Sequence, residues 1–482
     1  MTNKTVTTNF LWRFLERCGA QVVMLIVTTV LARLLGSTAY GTIALVTVFT
    51  TIMQVFIDSG LGTALIQKKD SDDLDFSTVF FFNLAMCTVL YLIMFFGAPL
   101  ISAFYEKPEL TSIIRVLSLT LVISGLRNVQ QSYISKKMLF KRFFWSSLGG
   151  SIGSAIVGIA MAYMGFGVWA LVAQHLINLA VSTAILWLTV KWRPKFIFSF
   201  TRLKGLFSFG WKLLISALID TVYNDLRQLI IGKKYTSDDL AFYNEGRKFP
   251  NFIVTNINTS IDSVLLPAMS SEQNDRERVK TMTRRSIKVS SYLMWPLMVG
   301  LGVCAEPVIR LLLGSGWLDC APYMRIFCFT FAFYPIHTAN LNAIKAMGRS
   351  DMFLKLEILK KVIGLIALFS TMNFGVMTMA YSLLVTTVLS QIINSWPNRK
   401  LLGYSYLEQI KDILPSVALS GIMGVCVLAI QFIGLHYIVT LLIQVPLGAA
   451  IYIGGSKLFR LESFEYIWNV GKGFLSKKIK SN

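Results

Sequence analysis

Histidine, acid and paired cysteine are scarce in this chain, and each scarcity removes a class of chemistry. The three histidines, His175, His337 and His436, stand singly in apolar surroundings, where a hydrogen-bonded interior role is the ordinary one. The six cysteines, Cys18, Cys87, Cys304, Cys320, Cys328 and Cys426, contain no CxxC pair, so neither a disulfide framework nor a zinc site is expected. No P-loop, HExxH, nucleophile elbow or pair of carboxylates on a polar surface is present, which argues against an ATPase or a hydrolase. We therefore expect no catalytic residue, no metal and no cofactor. Met1 to Arg17 lacks an apolar core ending in small residues, so the first hydrophobic segment is expected to stay as an anchor rather than to be cleaved. No connection is long enough for a soluble domain; the longest, near Ser271 to Arg285, is basic.

What the chain has in abundance is apolar surface. Of 482 residues 54% are hydrophobic and 15% charged, with a mean hydropathy of +0.60. That balance defines an all-α polytopic membrane protein. Apolar runs of the length needed to cross a bilayer number about 14, centred near Met24, Gln54, Leu90, Ile123, Val157, Leu179, Ala217, Asn258, Val299, Phe331, Ile366, Leu384, Met423 and Pro446. The net charge of +21 would suggest nucleic acid in a soluble domain. Here Lys and Arg fall in alternate short connections: Lys68 and Lys69, Lys136 to Arg142, Lys191 to Lys204, Arg276 to Arg285, Arg349 and Lys355, Arg399 to Lys411, and the tail. That is the positive-inside pattern, and it predicts both termini in the cytoplasm with no nucleic-acid partner. The opposite side receives near-neutral turns at Gly165-Phe166-Gly167, Gly314 to Trp317 and Asn373-Phe374-Gly375, and one charged loop, Gly232 to Lys248.

A repeat organises these spans. Leu34-Leu35-Gly36 with Tyr40-Gly41 has a counterpart in Ile230-Ile231-Gly232 with Phe242-Tyr243-Asn244. Pro99-Leu100-Ile101 matches Pro307-Val308-Ile309, and Arg115 to Leu121 matches Arg325 to Phe331 in the same order. Two parallel units of about six spans each follow. The expected divisions are 1–198 and 199–402 for the two lobes, with 403–482 adding a helix pair and a basic cytoplasmic tail.

Candidate binding residues come from charges in unlikely places. On a helix, Lys212, Ser216, Asp220, Tyr223 and Arg227 share one face of an otherwise apolar span. A charge at the bilayer centre costs at least ~2.5–3.5 kcal/mol on insertion scales, so such a face must look into the bundle or a wet cavity. Arg13, Arg17 and Gln21 line the first span, Gln54 and Asp58 the second, Arg127, Asn128 and Gln131 the fourth, and Asn258 and Asp262 the eighth. Spans 1, 2, 7 and 8 are repeat equivalents, so a common polar cavity between the lobes is expected. Its substrate-binding set is Arg13, Arg17, Gln21, Gln54, Arg127, Lys212, Tyr223 and Arg227, with guanidinium and ammonium groups suited to a pyrophosphate. Asp220 and Asp262 are the expected ion-coupling acids, able to exchange a cation partner for H+ or Na+. The competing reading makes Arg13 and Arg17 interfacial anchors and pairs Asp220, Asp225 and Arg227 with neighbouring helices as structure.

Leu31-Ala32-Arg33-Leu34-Leu35-Gly36 with Tyr40-Gly41, and Asp58 to Gln67, resemble the amino-terminal hallmark of Wzx-type oligosaccharide flippases, the bacterial polysaccharide transporters, in their colanic-acid-like branch. Leu265 to Ser270 and Lys345-Ala346-Met347-Gly348-Arg349 extend the likeness to about Lys400, whereas Lys233-Lys234 through Asp239 departs from the usual apolar turn. The resemblance implies the multidrug/oligosaccharidyl-lipid/polysaccharide exporter fold. It also implies an undecaprenyl-pyrophosphate-linked glycan moved from the cytoplasmic to the periplasmic leaflet of the inner membrane by alternating access, for surface polysaccharide biosynthesis. Other polysaccharide assembly proteins would be its partners. A cation-coupled small-molecule exporter of the same superfamily is the first alternative, disfavoured by the basic bias of spans 1 and 7. A glycan polymerase or ligase is the second, and would need a sizeable extracytoplasmic loop.

Overall fold

A computed structural model of the chain describes residues 3–58, 61–68, 71–137 and 139–479. Side chains are described from residue 23 onward, except at 63, 67, 140, 208–210, 212–213, 259–260, 262–264, 350, 470–471 and 473–479. Among the described residues there are helices and no strand. In order they are α1 (Asn3–Asp58), α2 (Leu61–Gln67), α3 (Asp73–Tyr105), α4 (Leu110–Leu117), α5 (Leu119–Lys137), α6 (Phe140–Tyr163), α7 (Val168–Thr189), α8 (Phe200–Lys234) and α9 (Ser237–Ser271). There follow α10 (Arg276–Val303), α11 (Ala305–Leu312), α12 (Cys320–Ala332), α13 (Tyr334–Ala346), α14 (Ser350–Thr371), α15 (Val376–Leu402), α16 (Tyr406–Ala429), α17 (Tyr437–Leu458) and α18 (Glu462–Ile479).

Eight of these stretches are long and apolar enough to cross a membrane, and nine if α10 and α11, bent by 71° at Cys304, count as one span. The chain is thus an all-α, multi-pass membrane protein. Each of the expected span centres lies in its own helix or helix leg, including the polar α8 and α9.

Local sequence explains the breaks. At Gly36 the backbone takes φ 72°, which a side chain would strain, and this divides α1 into two legs. Its repeat counterpart Gly232 answers a different demand: a Cβ there would lie 2.6 Å from Leu45 Cδ1, so α8 packs close on the second leg of α1. Gly41 is tighter still, its position facing the Ser237 backbone. Two connections are shorter than the composition suggests. The charged loop expected from Gly232 to Lys248 shrinks to a turn at Tyr235 and Thr236, because Thr236 and Asp239 exchange capping hydrogen bonds of 3.1 Å and start α9 at Ser237. The basic stretch after Ser271 is likewise mostly helix, since Asp275 accepts the Arg278 N–H at 3.0 Å and caps α10.

The chain divides into two compact units, Met1–Ala241 and Phe242–Asn482. In the first unit a core of Leu65, Phe76, Val79, Phe80, Val129, Leu186 and Trp192 joins α2, α3, α5, α7 and α8 at one end of the bundle. In the second, Met269, Ile287, Ile336, Ala343, Leu402 and Ile413 join α9, α10, α13, α15 and α16. Arg115 donates to the Phe95 carbonyl at 3.1 Å and lies 4.4 Å over its ring, while its repeat counterpart Arg325 pairs with Glu306 at 2.7 Å.

Candidate transport site

In the first unit, polar side chains gather where the second leg of α1 ends against α5. Asn128 donates one amide to the Ile57 carbonyl and to Asp58 Oδ1, both at 3.2 Å. Gln54, one turn before Asp58 on the same leg, donates to that oxygen at 3.1 Å. Asn83 of α3 reaches Asn128 Oδ1 at 3.5 Å. Arg127 sets its fork on the Gln131 side-chain oxygen, 2.8 and 2.9 Å away in the amide orientation that satisfies both groups, and its charge reaches Asp58. The start of α2 presses on this cluster: a Cβ at Gly62 would lie 3.1 Å from Asn128 Oδ1. A carboxylate held by amide donors beside an apolar bundle can keep its charge, take a proton or accept a cation, which is the repertoire a moving polar substrate needs.

Of the expected site residues, Gln54 and Arg127 converge on this cluster. On α8 Asp220 is exposed, Tyr223 half-buried and Arg227 buried at 8%. Asp225 between them accepts from Gln228 at 3.0 Å. The side chains of Arg13, Arg17, Gln21, Lys212 and Asp262 lie outside the described residues. Asp58 and Asn83 are the residues that pattern reading underweights. Asp58 was readable as one member of the second span's stripe, but its pairing with α5 is not encoded by spacing.

A second charged cluster fixes the start of α8. Asp75, fully buried in the first turn of α3, receives Lys68 at 2.6 Å and Arg202 at 3.4 Å. Lys136 binds the Lys68 carbonyl and the Ser71 hydroxyl. Gln130 holds the Trp192 carbonyl at 3.2 Å, and Trp192 in turn donates to Asp73 at 3.2 Å. Asp72 caps α3; the N–H of Asp75 donated to it, with Arg202 and Lys68 nearby, holds its carboxyl below the usual carboxylate range. In sequence Asp72, Asp73 and Asp75 form a run of acids, and their cation partners are Lys68, Lys195 and Arg202.

The second unit's counterpart is neutral. Asn398 donates to Asn340 Oδ1 at 2.6 Å, Asn340 to Gln409 Oε1 at 2.8 Å, Ser395 to the same oxygen at 3.0 Å, and Gln409 back to Asn340 at 3.1 Å. All four are fully buried. Nearby, Asn394 contacts His337 Nδ1 at 2.8 Å.

Comparison with solved structures shows which known fold this helical bundle resembles. The fold is similar to that of the lipid II flippase MurJ in an inward closed conformation, with a TM-score of 0.75 at 15% identity over 93% of this chain and 99% of that one. It is also similar to an inward-facing multidrug resistance MATE transporter of the MOP superfamily, with a TM-score of 0.63 at 16% identity over 79% and 95%. Residues 30–322 match the family model described as polysaccharide biosynthesis protein, and the chain belongs to that family. Among curated relatives, the succinoglycan biosynthesis transport protein ExoT of Rhizobium meliloti is 25% identical over 72% of this chain and 70% of that one. The teichuronic acid biosynthesis protein TuaB of Bacillus subtilis is 22% identical over 84% and 85%, and the lipopolysaccharide biosynthesis protein WzxC of Escherichia coli is 21% identical over 83% and 84%.

Proposed function

We propose that the chain is a flippase that moves an undecaprenyl-pyrophosphate-linked oligosaccharide from the cytoplasmic to the periplasmic leaflet of the inner membrane, for surface polysaccharide biosynthesis. The observation that carries this is the pairing of family membership with a MurJ-like fold whose interior holds a charged, amide-lined cluster at Asp58. The relatives named for succinoglycan and teichuronic acid biosynthesis support the substrate class. The alternation of basic connections supports fourteen crossings with both termini cytoplasmic. In this reading the repeat lobes 1–198 and 199–402 exchange access, Arg13, Arg17 and Lys212 take the pyrophosphate at the cytoplasmic mouth, and Gln21, Gln54, Arg127, Tyr223 and Arg227 follow the glycan inward. Asp220 and Asp262 carry the exchange for H+ or Na+, and other assembly proteins receive the product.

The test is reconstitution of the full chain in liposomes with a fluorescent lipid-linked oligosaccharide, whose arrival in the opposite leaflet is read by an impermeant quencher. Wild type should accelerate transfer; loss of three cationic partners in Arg13→Gln/Arg17→Gln/Lys212→Gln should slow it by about tenfold or more, from ~1.5–3 kcal/mol per charged hydrogen bond. Transfer at the wild-type rate by the triple variant would return all three to interfacial anchors. Cysteine substitution at Gly165, Ser315 and Asn373 should label from outside intact cells, and protection of all three would overturn the topology.

A further inference from the structure

The first unit holds one further feature that transport of the headgroup leaves unexplained: an apolar groove of about 510 Å³ between the second leg of α1, the end of α3 and the end of α8. Phe49, Leu100, Phe104, Leu226 and Ile230 supply its walls, and its only charged lining residues are Lys233 and Lys234 at one end. We propose that this groove seats one acyl chain of an anionic phospholipid, with the lipid phosphate on Lys233 and Lys234.

Three observations carry the assignment. First, the groove is open on the hydrocarbon side, since Leu100 is 76% and Phe104 58% exposed, so its occupant comes from the bilayer. Second, the polar end coincides with a helix-end boundary. α3 stops at Tyr105 and α8 at Lys234, and the two ends are tied by Lys233 to Glu106 at 2.8 Å and by the Tyr105 hydroxyl to the Leu229 carbonyl at 3.3 Å. The two ammonium groups there outweigh the partial negative charge of the helix carboxyl ends, and each can donate to a phosphate beside the contacts it already makes. The Glu106 pair does not withhold Lys233 from such a ligand. Glu106 is 81% exposed, and an ion pair in water is weak. Third, the groove has the depth of one leaflet. From Leu226 to Lys234 the helix rises about 12 Å, against about 15 Å for half of a ~30 Å hydrocarbon core. A polyprenyl carrier chain is far longer than that, which favours the phospholipid.

The inference needs only that the chain lies in a bilayer, so its test involves no transport and its failure leaves the flippase reading standing. The full-length protein is reconstituted in nanodiscs of equal phosphatidylglycerol and phosphatidylcholine, re-extracted in mild detergent, and its retained lipid counted by mass spectrometry. Wild type should retain phosphatidylglycerol with a preference on the order of tenfold, the effect of about two lysines at a membrane surface. Lys233→Gln/Lys234→Gln should lose the preference, Lys233→Arg/Lys234→Arg should keep it, and Ile230→Trp, which fills the groove, should lose retention of both lipids. Equal retention of the two lipids by wild type, or an unchanged preference in the double Gln variant, overturns the proposal. Displacement of phosphatidylglycerol by added polyprenyl phosphate at equimolar concentration overturns the choice of occupant.

Discussion

The two units solve one problem, fastening the fourth-span equivalent to the helices around it, with different chemistry. In the first, α5 offers Asn128 to a carboxylate and Gln130 to a single carbonyl, and cations surround the neighbouring acids. In the second, α13 offers Asn340 to a closed set of amides and a hydroxyl from α15 and α16. Gln130 and Asn340 stand at the same offset as the repeat pair Arg115 and Arg325. A neutral network buried away from water, with its amide donors paired and only Asn398 Oδ1 of the four residues left without a partner among the described residues, favours one arrangement. A carboxylate with amide partners and an arginine nearby has at least two stable conditions, charged and paired or protonated. The comparison teaches that one unit can fasten a helix with a carboxylate where the other uses neutral amides, so only the first carries a charge that a proton or cation could change.

The sharpest way to break that contrast is Asp58→Asn. It preserves shape and removes the charge that Gln54, Asn128 and Arg127 address. Flipping per folded molecule should fall by about tenfold or more, on ~1.5–3 kcal/mol for a charged hydrogen bond, while the unfolding temperature in detergent changes little. A variant that transports normally would make the cluster structural and erase the distinction between the units.

The converse substitution is Asn340→Leu in the second unit. It removes the Asn340 Oδ1 that the fully buried Asn398 and Gln409 amides share, leaving Asn398 the Asn340 carbonyl at 3.2 Å and Gln409 the Tyr404 carbonyl at 3.4 Å. An unsatisfied buried group costs about 1–3 kcal/mol, and weakening two buried amides that each keep one carbonyl should cost roughly that much in total. Thermal unfolding should report that loss, with transport by the remaining folded protein unchanged. Reduced transport at wild-type stability would show that this network moves too.

Much of this frame was legible before any coordinates. Hydropathy gave a helix for each expected span, because bilayer thickness and helical rise leave few other solutions. The site was legible only in part. Gln54 and Arg127 were visible as stripe members because 3.6-residue periodicity reports a face. Asp58 was read only as a member of the second span's stripe, and its bond to Asn128, seventy residues away, is not encoded by that spacing. Likewise the basic stretch after Ser271 read as a loop since charge dominates composition, whereas the capping hydrogen bond from Arg278 to Asp275 decides the backbone. Pairings between distant segments and caps depend on particular atoms, and periodicity does not see them.

The smallest expected effect concerns the caps, where the same division recurs. α3 begins with a charged capping box, Asp72 with Asp75, and α16 with one led by a hydroxyl, Ser405 with Glu408. Asp72→Ala and Ser405→Ala should each cost about 1 kcal/mol at pH 7, the usual worth of an N-cap. Acid should separate them. The Asp72 carboxyl is held below its ordinary range first by the Asp75 N–H, then by Arg202 and Lys68. A depressed folded-state value means the group's stabilisation is complete above its unfolded value, about 3.9, and is lost as pH falls through the lower folded value. The gap between wild type and Asp72→Ala should therefore hold from neutral pH down to about pH 4 and close below it. The Ser405→Ala gap should close only in part, because the Glu408 N–H bond to the Ser405 hydroxyl does not titrate, whereas the hydroxyl's bond to the Glu408 carboxylate, which helps hold that carboxyl below its ordinary range, does. Raising the salt should trim the Arg202 and Lys68 contribution but leave most of the Asp72 gap, because its leading cause is a hydrogen bond and not a screened charge. A gap that vanishes in salt at pH 7 would instead make the surrounding cations, not the cap, what holds α3 in place.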